Sequence, residues 1–519
     1  MNVAETTAHQ SFAITHEGRL FGWGHSNALG LHNIYTNSNI LIPTHLAPTT
    51  AIGNLRFKDV VGTSGATLAL STDGRLFTWG GFNEVLGQGS SGVNGLIPTH
   101  VAPNATIRDL RFSSISKLSA ITTDGRLFTW GWNNVNQTGT GLPTNNPVLI
   151  PTHVSPTAAI GNLRWSSVSG RMGLTTDDRL FGWGRCSNGS LGLGTVGFME
   201  VAHPRHIAPT VEIGNLRWSY LSNSHWGNAD GGLGITTDGR LFSWGGNFHG
   251  KTGHGTSAGY TRVPTHVAPT SEIGNLRWSR VSSSLTHSLG ITTDGRLFSW
   301  GQGVAAGQNT TNDILVPTHV APTPEIGNLR WEHIATNTFG TSFAITTCGR
   351  TFAWGESHDG RTGLNRTGNV YIPTLMAELR HTVTFDTNGG EPTPQTQTVL
   401  HGEFAIEPVT MTRADHTFVH WALSNDLETP FDFASTPITS NITLVAVWEE
   451  IEQVLGLAEL IVHIFYNNID LDSFGGDAVR YQAFRDQLFL AKNALLDIAD
   501  LNAGQLAFRA RLLRESLPD

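Results

Sequence analysis

The chain has 519 residues, a formal charge of −9, 59 glycines, 14% charged residues and two cysteines. That length allows two to four domains around a sizeable core, and glycine in such excess over charge describes a turn-rich chain. Cys186 and Cys348 are too few for a disulfide framework or a metal knuckle. Charge divides as +4 over residues 1–380 (25 basic, 21 acidic), −9 over 381–450 (1 and 10) and −4 over 451–519 (6 and 10), which argues against a nucleic-acid partner.

The opening MNVAETTAHQ has neither a basic region nor an apolar core, so no secretory leader is read there. From residue 14 to 355 a segment of the form ITTDGRLFSWG recurs seven times, and its tryptophans are Trp23, Trp79, Trp130, Trp183, Trp244, Trp300 and Trp354. Their spacings of 56, 51, 53, 61, 56 and 54 residues mark stacked supersecondary units. Residues 276–323 show one unit: Trp278–Ser282 alternates, HSLGIT forms a second strand, Asp294-Gly295 is a hairpin turn, and RLFSWG is a third strand. Arg296, Phe298 and Trp300 share one face of that strand and Leu297 takes the other, so both faces of the sheet are covered by neighbours. VPTHV is a short fourth strand whose proline suits an edge. Four antiparallel strands in seven units without helices predict a mainly β fold, a seven-bladed β-propeller over residues 1–376. A β-solenoid is the alternative, though the period is long for one. The first unit begins inside its first strand, so the last is expected to abut it directly; a strand exchanged across the closure is the other solution.

This pattern resembles the repeats of the regulator of chromosome condensation (RCC1-type), which implies a seven-bladed propeller with one hairpin-plus-Trp-Gly unit per blade. The longer connection APTxEIGNLRW departs from that family.

In a four-strand meander the TTDGR turns and the connections share one face, and the loops between strands one and two and between three and four share the other. The first set barely changes along this chain; the second differs in every copy, and variation of that kind points to recognition. The candidate ligand-binding residues are therefore Phe82, Trp132, Asn133, Trp226, Phe248, His249 and His358. Trp226 lies outside the repeat pattern in a longer loop, as an interface anchor or as a cover on the next blade. The turns themselves read as scaffold, because Cys348 replaces Asp in one copy and Asp177-Asp178 replaces Asp-Gly in another. Their arginines are expected to pair with a neighbouring blade or its carbonyls. His45, His100, His153, His206, His266 and His319 recur on the outer strand, too far apart to share one metal ion. No catalytic, cofactor or metal constellation is found, so a non-enzymatic protein without cofactor is expected.

Residues 381–450 hold half-buried alternation in TVTFDT, TFVHWA and ITLVAVW around NGG. The order VTFDTNGG, HTFVHWA, PFDF, ITLVAVW closely resembles the Listeria–Bacteroides (internalin B-type) repeat. That implies a small β-grasp-like module, used as a spacer on secreted or wall-associated bacterial proteins, with Trp421 and Trp448 in its core. Over 451–519 the period becomes helical: Leu455, Leu457, Leu460, Ile461 and Ile464, then Tyr481, Phe484, Leu488, Ala491, Leu495 and Ile498, then a third helix near 504–516. This three-helix segment is loosely similar to FIVAR modules of bacterial wall proteins. Its longest apolar run, GLAELIVHIF, is too short to span a membrane.

The expected function is a bacterial surface or secreted binding protein, monomeric, whose loop face takes a protein or glycan. The expected explanation for the missing leader is a truncated or misassigned start. The alternatives are a guanine-nucleotide-exchange-like effector acting on a small GTPase, implied by the eukaryotic family, and a propeller-type inhibitor of an enzyme.

Overall fold

A computed structural model describes residues 2–3, 9–15, 17–25, 29–30, 39–47, 49–63, 66–81, 83–89, 95–155, 157–195, 197–224, 231–376, 380–400, 403–409, 411–414, 416–438, 441–450 and 477–496. The chain forms two compact units, Met1–Ala377 and Glu378–Asp519. The first unit contains seven four-stranded antiparallel sheets among the described residues, each made of four consecutive strands. Sheet 1 runs from Asn2 to His45, and sheet 7 from Trp331 to Leu375. Among the described residues no strand is exchanged at the closure: Asn2–Val3 pairs with Gln10–Ile14 of its own sheet.

In blade 6 the strands are Trp278–Ser283, His287–Thr292, Leu297–Gly301 and Ile314–His319. Alternation decides what each face buries. Trp278, Val281, Phe298 and Trp300 pack with Leu233, Ile235 and Leu241 of blade 5. Leu289, Ile291 and Leu297, on the other face, pack with Trp331, Phe352 and Trp354 of blade 7. Trp278 meets Phe298 and Trp300 edge-on at 5.4 and 6.0 Å, a favourable aromatic geometry. Gly290 makes this possible, since a Cβ there would lie 2.6 Å from the Trp278 ring.

First strands face one another round the axis. Gly170 N donates to Ser116 Oγ, Asn223 N to Ser169 Oγ and Ser283 N to Ser222 Oγ, at 2.9–3.2 Å. On the turn face a second tie links six blade boundaries. The N–H of Phe57, Phe112, Trp165, Trp218, Trp278 or Trp331 donates to the carbonyl of the preceding blade's turn (Gly18, Gly74, Gly125, Asp178, Gly239, Gly295) at 2.7–2.9 Å. Blade 7 meets blade 1 through the loop-side bonds that other boundaries share: Ser11 Oγ and Trp23 Nε1 both donate to Arg361 O, as Ser342 and Trp354 do to Ala305 O, and Asn365 N donates to Leu41 O at 3.0 Å.

The connections correct one expectation, that the repeats lack helices. Each TxEIGN segment contains a single helical turn, such as Ser271–Asn275, capped by Thr270, whose hydroxyl oxygen accepts from Ile273 N at 3.2 Å. A threonine in extended backbone supplies the acceptor that a helix start otherwise lacks.

The second unit has a five-stranded sheet in the order Gln397–Leu400, Arg380–Asp386, Ile442–Glu450, His416–Leu423, Asp426–Pro430, with its two central strands parallel. Trp421 is in its core with Val383, Phe385 and Leu444. Trp448 is half-buried beside them and donates Nε1–H to Thr387 O, lying where a side chain at Gly390 would clash. One helix, Ala478–Leu496, carries part of the expected helical period and buries Phe484. The helices expected over 451–476 and 504–516, and Ile498, lie outside the described residues. No described helix is long and apolar enough to cross a membrane.

Candidate functional site

The turn face is occupied with its own geometry. Arg75, Arg126, Arg179, Arg240 and Arg296 pair through Nε with Asp73, Asp124, Asp177, Asp238 and Asp294 of the same turns at 2.7–2.8 Å. This corrects the expectation that these arginines reach a neighbouring blade. The turn folds residues i and i+2 onto one side, so the carboxylate is the nearest acceptor. The Thr292 hydroxyl, then Arg296, hold the Asp294 carboxyl below its ordinary range. Each guanidinium also covers the phenylalanine two residues on, Arg296 lying 5.5 Å from the Phe298 ring. Phe298 in turn stacks against His319 at 5.5 Å, and the other outer-strand histidines stack on Phe21, Phe77, Phe128, Phe181 and Phe242 in the same way. Burial, then Arg296 and Arg330, lower the His319 pKa and keep the ring neutral. Asp178 adopts the left-handed conformation that glycine holds in the other turns.

The arginines of the Leu-Arg-Trp segments do cross between blades, by packing. Arg277 donates to Leu276 O and lays its stem over Gly239, where a Cβ would sit 2.9 Å from Arg277 Cδ.

The loop face is built otherwise. In the blade 5 loop, buried Asn247 accepts from Thr252 N and Oγ1 and donates to Thr256 O, fixing the loop from inside. Asn133 does the same in blade 3: its amide donates to Leu142 O and its oxygen accepts from Thr138 Oγ1. Asn133 is only 1% exposed, so among the expected contact residues it is a loop organiser. Its neighbour Trp132 is thereby presented outward at 46% exposure, and Phe248 likewise at 47%. His249 pairs with Asp313 of blade 6 at 2.9 Å, and His358 is exposed beside Glu356. Phe82 and Trp226 lie outside the described residues.

The structure adds Phe198, Tyr260 and Tyr371, which sequence reasoning missed. All three are exposed at the beginning of a fourth strand, beside the varied loops. With Trp132 and Phe248 they are the exposed large aromatics of the first unit among the described residues, and all five lie on the loop side. Four sit on the consecutive blades 3, 4 and 5. Arg185 lies 4.7 Å over Phe198 and extends this aromatic arc with a cation. Tyrosine, tryptophan and arginine at a solvent boundary are the residue types that carry binding energy in protein interfaces. Their signal was the aromatic content of the strand starts, hidden by the register shift that each third strand makes against its fourth.

Cys186 is buried against Thr195, whereas Cys348 is exposed; both thiols are free. The Thr346 hydroxyl, then Arg350, lower the Cys348 pKa as they would that of the aspartate it replaces. Among the described residues no cluster of three histidine, cysteine or carboxylate side chains could hold a metal ion.

Comparison with known proteins matches the regulator of chromosome condensation repeat to residues 124–170 and 238–291, with a second form of that repeat at 278–309. The Listeria-Bacteroides repeat domain matches residues 381–447. The chain is 26% identical over 293 residues to the ultraviolet-B receptor UVR8 of Arabidopsis thaliana, covering 54% of this chain and 60% of the receptor. It is 25% identical over 382 residues to the human E3 ubiquitin-protein ligase HERC2, covering 70% of this chain but 7% of that protein. In structure it is similar to human WBSCR16, with a TM-score of 0.57 at 18% identity, covering 70% of this chain and 94% of that one. Saccharomyces cerevisiae Prp20p gives a TM-score of 0.56 at 17% identity, covering 72% and 90%. These structural likenesses establish the propeller fold.

Proposed function

We propose, for a chain that carries regulator of chromosome condensation repeats followed by a Listeria–Bacteroides repeat, that the propeller is a non-enzymatic protein-binding module whose loop face is the recognition surface. The observation that carries this reading is the segregation to that face of the five large aromatics that are exposed among the described residues of the first unit, four of them on blades 3 to 5. On the opposite face, five of the turn arginines are paired with the aspartates of their own turns. The acidic second unit fits a spacer on a bacterial surface or secreted protein, a placement that rests on its resemblance to the internalin-type repeat.

The test compares capture of a partner by the full chain with capture by a Trp132→Ala, Phe198→Ala, Phe248→Ala variant and by an Arg277→Gln variant on the turn face. Because the three aromatics are exposed, their loss should leave the thermal midpoint nearly unchanged. It should weaken binding by at least about tenfold, the effect of losing interface anchors. Undiminished capture by the aromatic variant, or equal loss in the turn-face variant, overturns the reading.

A further inference from the structure

The turn face is uniform except where the first strands enter it. Two residues past the entry aromatic stand Asp59, Ser114, Ser167, Tyr220, Arg280 and His333 in blades 2 to 7, six positions with five residue types. Only between blades 6 and 7 does this position bring a guanidinium beside the arginine of the following Leu-Arg-Trp segment. There an open pocket of about 540 Å³ is lined by Ser279, Arg280, Asp294, Arg330, Glu332 and Thr347, among others.

The charges in the pocket are not equivalent. Asp294 is already spent on the Thr292 hydroxyl and on Arg296 Nε at 2.8 Å. Glu332 lies 3.7 Å from His333 Nε2. Burial and then Arg280 hold His333 below the ordinary histidine range, with Glu332 opposing them. Arg330 donates NH1 to the carbonyls of Leu329 and Asn328, at 3.2 and 3.4 Å. Among the described residues neither Arg280 nor Arg330 forms an ion pair with a carboxylate. Two guanidiniums without a carboxylate partner, lining one open pocket, have the donor pattern of an oxyanion receptor.

We infer that the pocket between blades 6 and 7 on the turn face binds a small oxyanion-bearing molecule, a carboxylate or a phosphate, through Arg280 and Arg330. Arg280 supplies the specificity of the site, because every bounded turn has a Leu-Arg-Trp or Leu-Arg-Phe arginine but only this one has the second guanidinium. The site lies across the ring from the aromatic arc and is independent of it.

Thermal shift and calorimetric titration of the full chain, at ionic strength held constant with sodium chloride, use inorganic phosphate and citrate as separate probes. Saturable binding of at least one is expected, and which one binds distinguishes a phosphate ligand from a polycarboxylate. Arg280→Gln should lower that affinity at least tenfold, and Arg280→Lys, which keeps the charge but loses the fork, should weaken it measurably. Arg277→Gln, the equivalent of Arg330 between blades 5 and 6, should bind as the parent does. Circular dichroism verifies that each variant is folded. Absence of saturable binding, an unchanged affinity in Arg280→Gln, or an equal loss in Arg277→Gln overturns the assignment.

Discussion

His287 offers a measurable link between one buried ring and the acid stability of the propeller. The side chain is fully buried between blades 6 and 7, with Nδ1 2.7 Å from Ser284 Oγ and Nε2 2.8 Å from Ser342 Oγ. Ser342 gives its own proton to Ala305 O, so Nε2 carries the hydrogen and donates it. Ser284 Oγ already accepts from the N–H groups of Thr286 and His287, and a second ring N–H at Nδ1 would find that acceptor occupied. Lys251, whose Nζ donates to Ser284 O, adds a like charge nearby. Burial and then Lys251 lower the His287 pKa to about 3 from 6.5. In the unfolded chain the ring binds a proton below pH 6.5, whereas in the fold it does not until about pH 3. Stability therefore falls as pH drops through that window, and is fully present above 6.5. Between pH 8 and pH 5 this difference amounts to about 2 kcal/mol. His287→Gln removes the titration. At pH 8 the variant should be less stable by about 1–3 kcal/mol, from lost hydrogen bonds to the two serines. At pH 5 the gap should narrow by about 2 kcal/mol. Urea titrations followed by tryptophan fluorescence at the two pH values measure both gaps. A gap that stays constant to within about 0.5 kcal/mol refutes the reasoning, since a linkage shift of this size lies well above that margin.

Two further pairs of substitutions test the packing. Gly239→Ala and Gly349→Ala both place a side chain at positive φ (82° and 83°), which costs about 1–2 kcal/mol. Only the first also drives Cβ into the Arg277 stem, so its thermal midpoint should fall further; equal losses would mean the stem moves freely. Trp130→Phe removes a donor from Val85 O, bonded at 2.9 Å, while Trp244 Nε1 has no acceptor among the described residues. Trp130→Phe should therefore cost about 1 kcal/mol more than Trp244→Phe in urea denaturation, by the net worth of one hydrogen bond.

The architecture was legible because seven imperfect copies print the same alternation, and chance departures in one blade are corrected by the other six. Leu297 against Phe298 and Trp300 already told that both faces of the sheet are covered by neighbours. What stayed hidden depended on how the backbone turns within a few residues. The Arg296–Asp294 pair needs the hairpin to fold i onto i+2, and spacing alone leaves a neighbouring blade equally plausible. The helical turn at Ser271–Asn275 was written in Thr270 followed by Glu272, a capped start too short to show periodicity. Asn133 and Trp132 show why sequence variation gave only half of the candidate site. Both vary between blades, but the amide can satisfy loop backbone groups and is drawn inside, whereas the indole beside it is left outside.

Cys348 and the blade 7 boundary explain why the repeated turn tolerates the loss of its carboxylate. Six boundaries carry an N–H to turn-carbonyl bond, and at five of them an arginine stem lies against the turn glycine; at the seventh, no described residue comes within 4 Å of where a Cβ on Gly349 would project. Among the described residues no blade is tied to that turn, yet Arg350 still lies 5.4 Å over Phe352 without an aspartate to fix it. The aspartate thus serves to steady an arginine whose packing survives its absence. Closure there rests on the loop-side tie that other boundaries also carry: Arg361 O accepts from both Ser11 and Trp23, as Lys251 O does from Ser288 and Trp300, and His9 meets Asp359 at 2.9 Å. A chemical role for the turn carboxylate would require the opposite: that the copy lacking it be buried and constrained, rather than the one turn left uncovered.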